Sequence, residues 1–200
     1  MNMTPQHIAS FMALAAVMSV TPGPNNFMVL SSSIRFGARQ TLGHILGAST
    51  GSAFMLLLVG LGLHEIFISS PYIQEGMKYA GSAYILYLAW KMLRDTGDYQ
   101  TNNNDHPMGF LGAAIFQWVN PKSWIMASVA ISTCLPSVFS FIDIAFYTMM
   151  FIVISFPCVG VWAWFGSIIK RYLTNAFLVK IFNLVCAVLL AVSALSMANL

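Results

Sequence analysis

Lys122 is the only fully ionised residue near the middle of any long apolar stretch of this chain, and it sits in QWVNPKS, Gln117 to Ser123. An ammonium buried in an apolar segment costs roughly 2.5–3.5 kcal/mol on insertion scales, so it needs an aqueous cavity or a partner. No Asp or Glu lies in the same apolar surroundings to neutralise it. The missing counter-ion can be an anionic group carried by a ligand, and a carboxylate would suit. The plain alternative is a lysine that snorkels to the surface or is hydrogen-bonded for structure alone. Side chains lean toward the N-terminal end of their helix, which is the farther surface from Lys122.

A second interruption stands in the first apolar stretch, TPGPNN, Thr21 to Asn26. Proline lacks an N–H and its ring clashes with the carbonyl four residues earlier, so Pro22, Pro24 and Pro121 should free the carbonyls of Met18, Val20 and Gln117. In hydrocarbon such backbone persists only where protein or a water-lined cavity covers it. Binding backbone at Pro22, Gly23, Pro24, Asn25 and Asn26, facing Asn120, Pro121 and Lys122, is one account. A Pro kink satisfied by neighbouring helices is the other. His44 in GHILGASTG titrates near neutral pH and is a candidate proton carrier, although five residues from Arg39 it also suits an interfacial histidine. Gly43, Gly47 and Gly51 share its helix at i, i+4, i+8, the spacing of close helix packing. Tyr84 in GSAYILYLAWK lies deeper than Tyr87, Trp90 and Lys91 and could line a site, whereas those three suit an interfacial belt. Asp143 reads as an interfacial group at the end of its segment rather than a coupling acid. Pro157 should free the Val153 carbonyl beside Ser155.

These residues must be held by elements built for lipid. Of 200 residues 58% are hydrophobic and 8% charged, too few charges to cover a soluble surface, and the mean hydropathy is +0.75. A net charge of +3 does not call for nucleic acid. Cys134, Cys158 and Cys186 are odd in number and widely spaced, which argues against a disulfide framework or zinc site and for buried packing thiols. No metal or other cofactor is implied. MNMTPQH has no basic n-region, so the first apolar segment is expected to stay rather than be cleaved.

A span needs about 20 apolar residues. Six segments meet that rule, at about 8–30, 41–63, 72–92, 109–131, 139–166 and 180–198, in one domain covering 1–200. The third is weakest, with Glu75 and Lys78 in its first turns. Arg35 and Arg39, Lys91 and Arg94, and Lys170, Arg171 and Lys180 fall in alternate connections, which places those connections in the cytoplasm and both termini outside. The polar loop RDTGDYQTNNNDHP carries Asp95, Asp98, Asp105 and His106, a solvated linker before a metal site. The fold class expected is therefore an all-α polytopic membrane protein with six transmembrane helices. Three spans per half, each half opening with a broken helix, make a 3+3 inverted repeat.

Six apolar segments in about 200 residues, with TPGPNN, GHILGASTG, GSAYILYLAWK and VNPKSW in that order, resemble the lysine-exporter (LysE/RhtB) family of bacterial amino acid efflux proteins. The double Asn of the first motif resembles the subgroup exporting cysteine and O-acetylserine. The resemblance implies a multi-pass protein of the bacterial inner membrane that exports amino acids or close derivatives, driven by protons. The motif positions carried over are Pro22, Gly23, Pro24 and Asn25, with Asn120, Pro121 and Lys122. The resulting expectation is one amino acid site where the two breaks meet. Backbone N–H groups and Lys122 would take the carboxylate, and freed carbonyls with Asn25, Asn26 and Asn120 would take the ammonium. Alternating access would complete export. A passive channel for small solutes is the alternative, and a thiol-redox carrier a more distant one. An enzyme is not expected, because no nucleophile and base are spaced to work together. Partners are the amino acid, protons and lipid, and the oligomeric state, homo-oligomers included, stays open.

Overall fold

The computed structural model describes residues 3–63, 71–94, 106–136, 138–173 and 175–198. The polar loop with Asp95, Asp98 and Asp105 lies outside them. Helix α1 (Pro5–Val20) starts on a capping box: the Thr4 hydroxyl accepts from the His7 N–H, His7 Nδ1 accepts from the Thr4 N–H, and Pro5 fills the first helical position. It stops at Pro22, and α2 (Pro24–Phe36) restarts two residues later, ending at Gly37 with φ 91°. Helix α3 (Leu42–Leu58) continues through a π turn, Val59–Leu63. Helix α4 spans Pro71–Arg94. Helix α5 (Phe110–Val119) breaks at Asn120, and α6 (Pro121–Val129) runs on through a second π turn, Ala130–Cys134. Helices α7 (Phe141–Tyr172) and α8 (Ala176–Ala198) follow.

No strand occurs among the described residues. The helical stretches Leu42–Leu63, Phe141–Tyr172 and Phe177–Leu195 are long and apolar enough to cross a bilayer. Helices α1 and α5 are apolar but too short to span alone, because the prolines divide their segments. The largest shifts from the expected boundaries fall at the ends of the first and fifth segments, with smaller ones such as a sixth segment that starts at Ala176 rather than 180. The first segment extends to Phe36, not 30, because Pro24 restarts a full helix instead of ending one. The fifth extends to Tyr172, not 166, its basic end Lys170–Arg171 continuing the helix where positive charge suits its C-terminus. Pro157 lies within α7 without ending it.

Packing sets the breaks against one another. Helix α3 lies along α5 and crosses α7, α1 and α2 lie along α7, and α4 pairs with α8. The glycine stripe explains the first contact. A Cβ at Gly47 would overlap the Phe110 backbone, and one at Gly51 would come within 2.7 Å of the Ala114 carbonyl oxygen. The outer faces are apolar, with Leu111, Ile115, Met149 and Val153 exposed, while α7 turns Tyr147, Phe151 and Ser155 inward. Residues of α1–α2, α3, α5–α6 and α7 converge on a cavity with about 420 Å³ of empty space, its mouth included. Among the described residues, none of those lining it belongs to α4 or α8.

Candidate functional site

The two interrupted helices touch through their interruptions. The Lys122 ammonium donates to the Thr21 carbonyl at 2.6 Å, the Thr21 hydroxyl at 2.8 Å and the Pro22 carbonyl at 3.3 Å. Its backbone N–H donates to the side chain of Asn120, which caps α6. The lysine stem passes over Gly23, where a Cβ would stand 3.0 Å from Lys122 Cδ. Glycine at this helix start lets the stem cross the break.

The carbonyls loosened by proline do not stand open, which corrects the expectation for Met18, Val20 and Gln117. Met18 accepts from the Thr21 hydroxyl, Val20 from the Trp162 indole N–H at 3.0 Å, and Gln117 from the Asn120 N–H. Asn26 Nδ2 donates to Ser19 at 2.9 Å and to Thr21 at 2.8 Å. Unpaired carbonyls in an apolar medium are expensive, and these donors remove that penalty. The amide donors are different. Helix α2 has no side-chain cap, and Pro24 takes its first position. The N–H groups of Gly23, Asn25 and Asn26 have no acceptor among the described residues, and all three residues line the cavity. An uncapped helix start presents partial positive charge to an anion.

Gln117 joins the breaks a second time. Its Nε2 donates to the Ala113 carbonyl at 2.8 Å and to Asn25 Oδ1 at 3.4 Å. Its Oε1 accepts from Ser123 at 2.8 Å, Asn120 at 3.1 Å and Ser52 at 3.2 Å. It is 1% exposed, so these bonds face no competition from bulk water. On the far wall Ser155 donates to Ser49 at 3.2 Å, tying α7 to α3. Ser19 lines the cavity with its buried hydroxyl unpartnered. Met18, Ala48, Met126, Phe151 and Val159 supply an apolar wall opposite these polar groups. The chamber thus offers an anion-favouring helix start, an ammonium, amide and hydroxyl groups, and an apolar surface with two thioethers.

Of the sequence-derived positions, Gly23, Asn25, Asn26, Asn120 and Lys122 line the cavity. Pro22, Pro24 and Pro121 are not among the lining residues: Pro22 lies in the first break, Pro24 opens α2 and Pro121 opens α6. Tyr84 is elsewhere, packed on Phe116 at 5.4 Å and Tyr87 at 6.2 Å against the cluster that α2, α4, α5 and α8 share. His44 is not a lining residue. It is 1% exposed, and neither ring nitrogen has a partner among the described residues. Asp143 stands in the first turn of α7, at the end of its segment, and is 3% exposed with its carboxylate closing the capping box with Ser140. Cys134, Cys158 and Cys186 are free thiols. Sequence reasoning passed over Ser19, Ser52, Gln117, Ser123 and Ser155 as site residues. Only Gln117 carried a signal, as a polar side chain four residues before a mid-segment proline.

Comparison with known proteins agrees with this architecture. The chain is 32% identical over 131 residues to cysteine/O-acetylserine efflux proteins of Salmonella choleraesuis (strain SC-B67) and Salmonella typhimurium (strain LT2), covering 66% of this chain and 67% of each relative. The protein of the same name from Escherichia coli O1:K1 is 30% identical over the same length. No solved structure matches. The family model described as LysE type translocator matches residues 16–199, a range that takes in both breaks and every lining residue of the cavity. With its apolar helices and its two proline breaks around a polar chamber, the chain is a helical multi-pass membrane protein and belongs to the LysE type translocator family.

Proposed function

We propose that this protein is a proton-coupled exporter of small neutral amino acids of the cysteine/O-acetylserine kind, working by alternating access in the inner membrane of a bacterium. The observation that carries the proposal is the meeting of the two breaks: the ammonium of one caps the backbone of the other at the wall of a single polar cavity. A substrate carboxylate binds the open N–H groups of Gly23, Asn25 and Asn26 and draws Lys122 away from Pro22, its longest hydrogen bond. The substrate ammonium goes to Asn25 Oδ1, which among the described residues accepts only the long bond from Gln117 Nε2, and to the Ser19 hydroxyl, which has no partner among them. Its side chain lies on Met18, Met126 and Phe151. Among the described residues no carboxylate lines the cavity to receive a second cation, which disfavours dibasic substrates.

Six spans in a 3+3 inverted repeat, with both termini outside, supply the frame for rocking. Two features support it. Each half opens with a broken helix, and the contacts exchange between halves: α1–α2 lie on α7 as α5–α6 lie on α3. Alternate basic connections support the orientation. His44 carries the proton, its imidazole buried without a partner on α3, one turn before the lining residue Ala48. The test is transport by purified protein in proteoliposomes loaded with O-acetylserine or cysteine. Movement against the amino acid gradient under an imposed proton gradient is expected. Strictly downhill flux would make the protein a channel, and no flux of any amino acid would overturn the proposal.

A further inference from the structure

A second polar pair lies away from the cavity and has no part in the site described. Along α7 the residues Asp143, Tyr147, Phe151, Ser155 and Val159 recur every four positions and form one buried stripe. The last three line the cavity. Asp143 lies eight residues before Phe151, roughly 12 Å farther along the helix. Between them the Tyr147 ring meets Phe11 of α1 edge-on, with centroids 4.7 Å apart. This aromatic contact belongs to the buried cluster that also holds Trp124 and the cavity-lining Met126 and Phe151, so it lies between the cavity and the start of α7 along the stripe.

Beyond that contact two oxygens are stranded. Asp143 uses Oδ2 to accept from the Ser140 N–H and hydroxyl, both at 2.9 Å, but its buried Oδ1 has no partner among the described residues. The Tyr147 hydroxyl, with its residue 0% exposed, has none among them either. Its ionisable neighbours are Asp143 and Cys134. A capping carboxylate needs one oxygen, so the cap accounts for Oδ2 only. Two unsatisfied acceptors on one helix face, one of them on a carboxylate, suit a compact cation with several N–H donors.

We propose that Asp143 Oδ1 and the Tyr147 hydroxyl form an outer site for a primary ammonium group, where an exported amino acid pauses after passing the Phe11–Tyr147 contact. Its exit role rests on the orientation proposed above; binding of an ammonium does not. As Phe11 swings off Tyr147, the ammonium leaves the neutral acceptors of the cavity for a carboxylate nearer the surface, which draws the substrate outward. A free amine without a carboxylate has little to hold it in the inner cavity, so it is a selective probe.

The experiment measures thermal unfolding of detergent-solubilised protein with ethylammonium chloride, against tetramethylammonium and sodium chloride at equal ionic strength. Ethylammonium should raise the midpoint of the wild type beyond either control, and Asp143→Asn and Tyr147→Phe should each abolish the difference. The asparagine retains an oxygen for the Ser140 cap, and Tyr147 has no capping role, so neither result reduces to lost folding. Equal stabilisation by tetramethylammonium, or an ethylammonium effect kept in either variant, overturns the proposal. In proteoliposomes, external ethylammonium should slow wild-type export of O-acetylserine about tenfold, in the range of one charge-assisted hydrogen bond, and leave Asp143→Asn export unaffected. If the wild type exports no amino acid, the proposed function fails, yet the detergent measurement still decides the outer site.

Discussion

At the scale of the residue, Lys122 has two claims on its ammonium: the backbone of a broken helix and the carboxylate of a substrate. Those claims are compatible, because Thr21 contributes a carbonyl and a hydroxyl at short range while Pro22 lies at 3.3 Å. One hydrogen bond can therefore be exchanged without orphaning the charge. Replacing Lys122 with Met removes both claims. Binding of O-acetylserine, measured by equilibrium dialysis in detergent, should weaken about 10- to 100-fold, the worth of a hydrogen bond to a charged group, with the protein still inserted. Wild-type affinity in that variant would confine the lysine to a structural role. Gly23 belongs to the same account: Gly23→Ala places a methyl 3.0 Å from Lys122 Cδ and should lift the ammonium off Thr21, weakening binding in the same direction by a smaller factor.

At the scale of the element, the prolines made the two breaks legible, since Pro22, Pro24 and Pro121 forbid a continuous helix whatever surrounds them. Lys122 was legible because a charge in hydrocarbon demands an explanation. Gln117, Ser19 and Ser52 were not. In a lipid-borne helix the core face and the lipid face are both apolar, so hydrophobic periodicity does not say which way a serine points. The burial of His44 was hidden for the same reason, depending on neighbours that close over α3 rather than on its distance from Arg39. The segment-end position of Asp143 was legible, but its burial was not, because a capping box turns the carboxylate back onto its own helix start. The glycine stripe, read from sequence as close packing, is where α3 and α5 approach. Gly51→Leu should drive the side chain into the Ala114 backbone and part these helices. The expected result is a lower unfolding midpoint and reduced yield in the membrane; an unchanged midpoint would show that the contact is not needed.

At the scale of the whole molecule, four broken or crossing segments build the cavity while α4 and α8 pair beside it. A rocking motion needs one group of helices to move against another, and this division supplies candidates for the two groups. Coupling has to be separable from transport. His44→Gln should still exchange labelled for unlabelled O-acetylserine across a proteoliposome membrane at equal concentrations, but should no longer accumulate it under a proton gradient. Loss of both activities, or retention of both, would remove the imidazole from the coupling step.

The claim underlying all of this is that the chamber between the two breaks is where the amino acid binds. Substrate protection in single-cysteine proteins tests it most directly. Ser52 and Ser123 line the chamber, and each is changed to Cys in a background lacking Cys134, Cys158 and Cys186. Alkylation by a small maleimide should be slowed by O-acetylserine at both positions and not at a cysteine placed at exposed Leu111. Equal alkylation rates at positions 52 and 123 with and without substrate, in proteins that still transport it, would put the binding site elsewhere.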